Sequence, residues 1–333
     1  MRSMQVRSGI DPGALPDDLL QSPEPVLLRG LVAHWPAVQA ARRSAADAAA
    51  YLRGCWHDAS VGIFLGPPEI DGRFFYNDSL TGFNFLRETG KLDLVLDALL
   101  QMAGEAQAPA LYVGPTTIDT CLPGFRAAND LGFGGRDPLA SIWLGNRSRI
   151  AAHFDLPDNL ACVVAGRRRF TLFAPDQVAN LYIGPLDLTP AGQAISLVDF
   201  KQPDLQRYPR FAQALASAQV VDLAPGDAVF IPSLWWHHVE ALEPFNVLVN
   251  YWWRQSPAYM DSPMAALMLA LMTVRDLPPA QRQAWRALFA HYVFDADAHT
   301  AAHVPAAARS ALAPMDDAGT RQMRAQLIKR LNR

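Results

Sequence analysis

Between about residue 109 and residue 254 the chain consists largely of short runs of β-branched and aromatic residues. Ala110-Leu-Tyr-Val-Gly114, Ala140-Ser-Ile-Trp-Leu-Gly145, Ala161-Cys-Val-Val-Ala165 and Arg169-Phe-Thr-Leu-Phe173 come first. Gln219-Val-Val-Asp-Leu223, Ala228-Val-Phe-Ile231 and Asn246-Val-Leu-Val-Asn-Tyr-Trp-Trp253 follow. Most are bounded by Gly or Pro, and Pro225-Gly226-Asp227 is a turn signal between two of them. Many short strands joined by tight turns fold as a β-sandwich or barrel, because each strand must bury a face against others. On both sides the texture is helical. Ala45–Leu52 and Leu92–Ala103 carry good helix formers without internal Pro or Gly. Past residue 255, Pro263–Leu277, Ala280–Val293 and Asp317–Asn332 read as helices. The expected organisation is therefore a unit over 1–254, with helices ahead of a β-rich core, and a helical region over 255–333.

Half of the 333 residues are hydrophobic, enough for a large core, and eight Trp and 16 Phe make it aromatic. A net charge of −3 offers no concentrated basic surface of the kind phosphate binding needs, so no nucleic-acid partner is expected. The basic residues Arg321, Arg324, Lys329, Arg330 and Arg333 follow Asp316 and Asp317, and read as a solvated helix end. Cys55, Cys121 and Cys162 are widely spaced and show no metal or redox spacing, which fits a reducing compartment. No segment resembles a signal peptide, and the longest apolar run, around Pro263 to Thr273, is too short to cross a bilayer. The expectation is a cytoplasmic protein without membrane contact. Its apolar C-terminal helices are expected to form a homodimer interface, with covering of the barrel as the alternative that the sequence leaves open.

Within the strand-rich region, His153-Phe154-Asp155 carries the chemistry. Side chains two residues apart on a strand share a face, so His153 and Asp155 would point together into the barrel. Some 85 residues later, Pro225-Gly-Asp-Ala-Val-Phe-Ile-Pro232 is followed by Ser-Leu-Trp235-Trp236-His237-His238-Val-Glu240, a turn, a strand, a Pro break and a second strand. One of the two adjacent histidines faces inward and the other does not, and alternation alone leaves the choice open. Two imidazoles and one carboxylate cover one face of a metal ion and leave the opposite face free, the ligand set of non-haem Fe(II) oxygenases.

His153-Phe-Asp155, Ala165-Gly-Arg-Arg168-Arg-Phe-Thr-Leu-Phe-Ala-Pro-Asp176, Pro225-Gly-Asp227, Ile231-Pro232 and Trp235-Trp-His-His238 together resemble the JmjC-type, cupin-like (cupin 8) dioxygenases. That family includes the asparaginyl hydroxylase of hypoxia-inducible factor and bacterial cupin-like proteins. Pro25-Val-Leu-Leu-Arg-Gly-Leu-Val-Ala-His-Trp-Pro36 is similar to its entry segment, and the resemblance covers roughly residues 20–255.

The resemblance implies a double-stranded β-helix (jelly roll) over the 1–254 catalytic domain, with Fe(II) and 2-oxoglutarate bound. By position in the motif it makes His238 the third metal ligand beside His153 and Asp155. It places Asn159 and Asn250 near metal and cosubstrate. Tyr112 and Arg168 match residues that hold the far carboxylate of 2-oxoglutarate, and Trp252 matches a pocket tryptophan expected to contact substrate. Two positions depart from the family pattern: Arg168 replaces a lysine, and Ile150 a threonine. Guanidinium is an acceptable carboxylate partner. Ile150 removes a hydroxyl, for which Ser148 or Arg149 could substitute. The turn-bound aromatics of Phe74-Phe75-Tyr76-Asn77-Asp78 read as a substrate loop, with Tyr76 as the contact. Trp235 and Trp236 read as core.

The activity implied is hydroxylation of a protein side chain, amino acid or small metabolite, coupled to decarboxylation of 2-oxoglutarate to succinate. N-demethylation and metal or ligand binding without turnover are the alternatives. A tRNA-modifying hydroxylase also belongs to this wider family, and the acidic balance speaks against it.

Overall fold

The computed structural model describes residues 2–190 and 192–332, and the chain divides into two compact units, Met1–Gln255 and Ser256–Arg333. Among the described residues the first unit contains fourteen strands. They are β1 (Gln5–Ser8), β2 (Val26–Arg29), β3 (Ser60–Gly66), β4 (Arg73–Phe74), β5 (Leu86–Lys91), β6 (Ala110–Thr117) and β7 (Leu139–Gly145). They continue with β8 (Ser148–His153), β9 (Asp158–Ala165), β10 (Arg168–Phe173), β11 (Gln219–Leu223), β12 (Ala228–Ile231), β13 (Trp236–Ala241) and β14 (Asn246–Trp253).

The strands form two sheets. The larger runs β1-β2-β12-β9-β14-β7-β6-β3-β5 and the smaller β11-β10-β13-β8-β4. From β7 to β14 the chain passes between the two sheets, and the ladders within each half are antiparallel. This is a jelly roll, mainly β with helical parts. The sequence reading did not identify β3 or β5, which lie at one edge of the larger sheet and carry charged and glycine residues.

Alternation along β14 sets the layers. Val247, Val249, Tyr251 and Trp253 join a core between the large sheet and helices Pro36–Arg43, Ala45–Cys55 and Leu92–Met102. Leu248, Asn250 and Trp252 face the space between the sheets instead. Because both faces are covered, β14 reads as a nearly unbroken apolar run rather than an alternating one. Between the sheets, Ala161, Val163, Phe170, Leu172, Val229, Ile231 and Val239 close one end with apolar packing. The outer face of the small sheet is covered separately. Phe173 and Trp236 pack there against Leu181, Val198, Phe200 and Phe211 from the segment between β10 and β11.

Pro225-Gly226-Asp227 serves the framework. Gly226 has φ 106°, and an added Cβ would lie 3.1 Å from the Ala33 backbone. The Asp227 carboxylate accepts from the backbone N–H of Gly30 and Ala224 and pairs with Arg29 at 2.6 Å, locking the turn to β2.

The second unit contains helices Pro263–Thr273, Pro279–Phe289 and Asp317–Leu331. None of its described residues is buried. Among the described residues, no helix of the chain is long and apolar enough to cross a membrane. Cys55, Cys121 and Cys162 are free thiols.

Candidate active site

Two loops laced together bring the chemical groups into register. β8 ends at His153, so Asp155 sits just beyond the strand rather than on it as the spacing predicted. The Asp155 carbonyl accepts from the Leu234 N–H at 2.9 Å. Ser233 donates its hydroxyl to the Leu156 carbonyl at 2.6 Å and its N–H to Asp158 Oδ1 at 2.9 Å. Leu234 turns through φ 67° to enter β13. On the outer side Phe154 meets Trp236 edge to face, with ring centroids 4.9 Å apart.

β13 and β8 are antiparallel neighbours, and His237 is the partner of His153 across the ladder. Their rings are 4.3 Å apart, and His237 Nε2 lies 3.7 Å from Asp155 Oδ2. One donor atom from each of His153, Asp155 and His237 falls within 4.8 Å of the others. Each imidazole is oriented by its own strand: His153 Nδ1 is 2.9 Å from the Ala151 carbonyl and His237 Nδ1 is 3.0 Å from the Trp235 carbonyl. A carbonyl only accepts, so Nδ1 carries the proton in both rings and Nε2 presents its lone pair. Burial, followed by the neighbouring His153, pushes the His237 pKa down to about 4, so the ring is neutral at neutral pH as a ligand must be. Two imidazoles and one carboxylate, half-buried at His153 and Asp155 and buried at His237, have their donor atoms close together and fit a divalent transition metal.

The geometry corrects the choice between the adjacent histidines. His238 shares the outer face of β13 with Trp236 and stacks on Phe200 at 4.3 Å. Both its ring nitrogens are buried without a hydrogen-bond partner. The motif-based assignment of His238 therefore fails on strand parity. The face that carries Trp236 is claimed by the apolar side chains of Leu181, Val198, Phe200 and Phe211, which leaves His237 and Val239 pointing inward.

Asp155 is itself held. Oδ2 accepts from Asn159 Nδ2 at 2.9 Å and from the Trp252 indole N–H at 3.0 Å. Asn159 and Trp252 thus lie at the site, but here they hold the carboxylate, and Asn250 stands behind Asn159 at 3.3 Å.

The cluster opens into a cavity of about 540 Å³. Its walls include Phe64, Phe74, Phe85, Tyr112, Trp143 and Ile150, with Arg168 at one side. Arg168 is 2% exposed, and its Nε has no hydrogen-bond partner. Burial lowers its pKa, and the one group opposing that effect is Tyr112, not a carboxylate. Tyr112 is buried beside it, its pKa raised well above the ordinary phenol value. Ile150 lines the cavity where a hydroxyl was expected. Neither proposed substitute reaches it: Arg149 is committed to Asp71 and Asp199, and Ser148 is buried away from the cavity wall.

Tyr76 also departs from expectation. It is 3% exposed, stacks on Phe83, and donates its hydroxyl to the Leu188 carbonyl at 2.6 Å. It tethers a loop and does not line the cavity. Trp143, by contrast, stacks on Tyr112 in the cavity wall and was read only as part of a core strand. Its pairing with Leu248, which turns it toward the cavity, is non-local and leaves no signal in the sequence.

A fold of this kind, with two histidines and one aspartate converging in its mouth, defines a cupin-type metal centre. The model of the cupin-like domain matches residues 12–259, and the chain belongs to that family. It is 37% identical over 132 residues to lysine-specific demethylase JMJ31 of Arabidopsis thaliana, covering 37% of this chain and 24% of that protein. It is 38% identical over 106 residues to tRNA wybutosine-synthesizing protein 5 of Danio rerio, covering 32% of this chain and 29% of that protein. With lysine-specific demethylase 8 of Xenopus tropicalis it shares 26% identity over 244 residues, 71% of this chain and 49% of that protein. The chain thus spans between a quarter and a half of the length of these curated relatives.

Proposed function

We propose that this chain is an Fe(II)- and 2-oxoglutarate-dependent oxygenase that hydroxylates a protein side chain, an amino acid or a small metabolite. His153, Asp155 and His237 would hold the metal. Fe(II), 2-oxoglutarate and O₂ together supply the oxidising power that places oxygen on a substrate C–H bond, with succinate and CO₂ as co-products. The protein orients the partners and excludes water. Asn159 and Trp252 keep the Asp155 carboxylate in one orientation.

One observation carries the cosubstrate assignment: the buried guanidinium of Arg168, without an acid partner among the described residues, opens into the same cavity as the metal cluster. An unpaired buried charge costs several kcal/mol, and an anionic occupant offsets that cost. A carboxylate bound bidentately by Arg168, with the Tyr112 hydroxyl beside it, matches the far end of 2-oxoglutarate. The experiment is anaerobic binding of 2-oxoglutarate to the Fe(II)-loaded protein, followed by succinate measurement on admitting O₂. Binding and succinate formation support the proposal. Binding of metal alone, without either, would leave a metal-binding cupin.

Two relatives bear the name lysine-specific demethylase. For this chain the cavity favours hydroxylation of a neutral or anionic group. Its lining includes Arg87 and Arg168, and Asp155 is the one carboxylate on it among the described residues. Formaldehyde release on turnover would reverse that preference. The overall acidic charge supports a substrate other than nucleic acid. Three free cysteines, without a disulfide framework, support a cytoplasmic setting.

We also propose a homodimer through the second unit. From Met264 to Met272 the helix is apolar on every side, yet none of its residues is buried in this chain. A helix apolar all round is stable only when surrounded, and a second copy supplies a matching apolar surface.

A further inference from the structure

Asp155 stands at the end of a hydrogen-bonded chain that reaches across the cavity wall. The Trp143 indole Nε1–H donates to Asn250 Oδ1 at 2.6 Å. Asn250 Nδ2 donates to Asn159 Oδ1 at 3.3 Å, and Asn159 Nδ2 donates to Asp155 Oδ2 at 2.9 Å. Asn159 and Asn250 are both at least 95% buried, so these hydrogen bonds are their principal partners.

The chain has a direction. An indole N–H can only donate and an ionised carboxylate can only accept, whereas an amide can turn either way. Both ends therefore impose the same polarity on the two amides between them. With Trp143 donating, Asn250 must present its oxygen to the indole and its NH₂ to Asn159. Asn159 must then present its oxygen to Asn250 and its NH₂ to Asp155. Trp252 delivers a second N–H to the same oxygen at 3.0 Å. Two donors occupy the lone pairs of Oδ2, and Oδ1 is the oxygen left free.

We infer that Trp143 is a positioning residue for the metal centre: its indole N–H sets the orientation of Asn250 and Asn159, and through them holds Asp155 as a one-oxygen ligand. The inference rests on the proposed metal role of His153, Asp155 and His237. It gives Asn159 and Asn250 a task other than touching the cosubstrate. It also explains why tryptophan, rather than another aromatic, occupies this wall position: phenylalanine could stack on Tyr112 equally well but has nothing to donate.

The test uses the full chain loaded anaerobically with Co(II) alone, read by its dissociation constant and its visible absorption bands, so that no turnover is needed. Trp143 is replaced by β-(3-benzothienyl)alanine, which exchanges the N–H for sulfur and keeps the ring shape. The variant Asn250→Asp keeps an acceptor for Trp143 but takes away the donor to Asn159. Both should weaken Co(II) binding by about tenfold, the low end for groups that orient a ligand, and should shift the absorption bands in the same direction. Wild-type affinity and spectrum in the benzothienyl variant would overturn the relay. If the wild-type protein binds Co(II) no better than Asp155→Ala, the metal site itself falls, a result distinct from failure of the relay. Asn250→Asp also covers the case in which the modified tryptophan prevents folding.

Discussion

His153 and His237 face each other across neighbouring antiparallel strands with their rings 4.3 Å apart, each held by a carbonyl of its own strand. One residue further, His238 points to the opposite side of the sheet and stacks on Phe200. The two adjacent histidines therefore respond differently to substitution. His237→Ala should abolish stoichiometric metal binding and any succinate formation. His238→Leu should retain both within about threefold, because strand alternation carries its ring away from the cluster. Metal content measured after anaerobic loading and desalting decides the matter, and the reverse order would restore His238 as the ligand.

The same pair makes the metal-free protein sensitive to acid. Burial lowers His237 to about 4 and His238 to about 3, from an ordinary value of 6.5. Above pH 6.5 neither the folded nor the unfolded chain protonates these rings, and their contribution is fully retained. As pH falls below that value the unfolded chain takes up protons that the folded chain refuses, so stability declines until the folded values are reached. Each histidine adds a slope of about 1.4 kcal/mol per pH unit. Urea unfolding of the chelator-treated protein between pH 6.5 and about 5 should show this decline. His238→Leu should remove roughly half of it, and an unchanged slope in that variant would refute the assignment.

Arg168 should show opposed effects on stability and binding. Its guanidinium is buried without an acid partner, so Arg168→Met, of similar length and neutral, should leave the ligand-free protein equally stable or more stable by about 1 kcal/mol. The same change should raise the apparent KM for 2-oxoglutarate at least tenfold. Arg168→Lys should fall between, since an ammonium keeps the charge but not the forked geometry. Thermal shift with and without 2-oxoglutarate, alongside succinate assays, separates the two effects. An unchanged KM in Arg168→Met would place the anchor elsewhere.

Leu267 and Met268 are exposed on the all-apolar C-terminal helix. Leu267→Glu combined with Met268→Glu places two charges on the surface proposed to be covered by a second copy. Sedimentation should show a dimer for the wild-type chain and a monomer for the double variant. A wild-type chain that sediments as a monomer at micromolar concentration would end the dimer proposal.

Strand texture and turn residues made the β-rich core legible, because period and propensity are local properties. β3 and β5 were missed because Gly62, Glu88, Thr89 and Gly90 interrupt any apolar pattern, and their pairing with each other and with β6 is non-local. Tyr76 was misjudged for a related reason. An aromatic cluster beside turn residues has the same appearance whether it contacts substrate or tethers a loop, and here the Leu188 carbonyl decides it.

The sequence by itself determined the fold class and a candidate ligand set of two imidazoles and one carboxylate. These follow from residue type and from alternation within a segment. Tertiary structure decided which histidine belongs to the cluster, since alternation gives a period but no phase. The phase of β13 comes from the apolar side chains of Leu181, Val198, Phe200 and Phe211, which cover the face bearing Trp236 and thereby turn His237 toward His153 and Asp155. It also decided the partners of Asp155, because Trp143, Asn159, Asn250 and Trp252 meet only where distant strands are brought side by side.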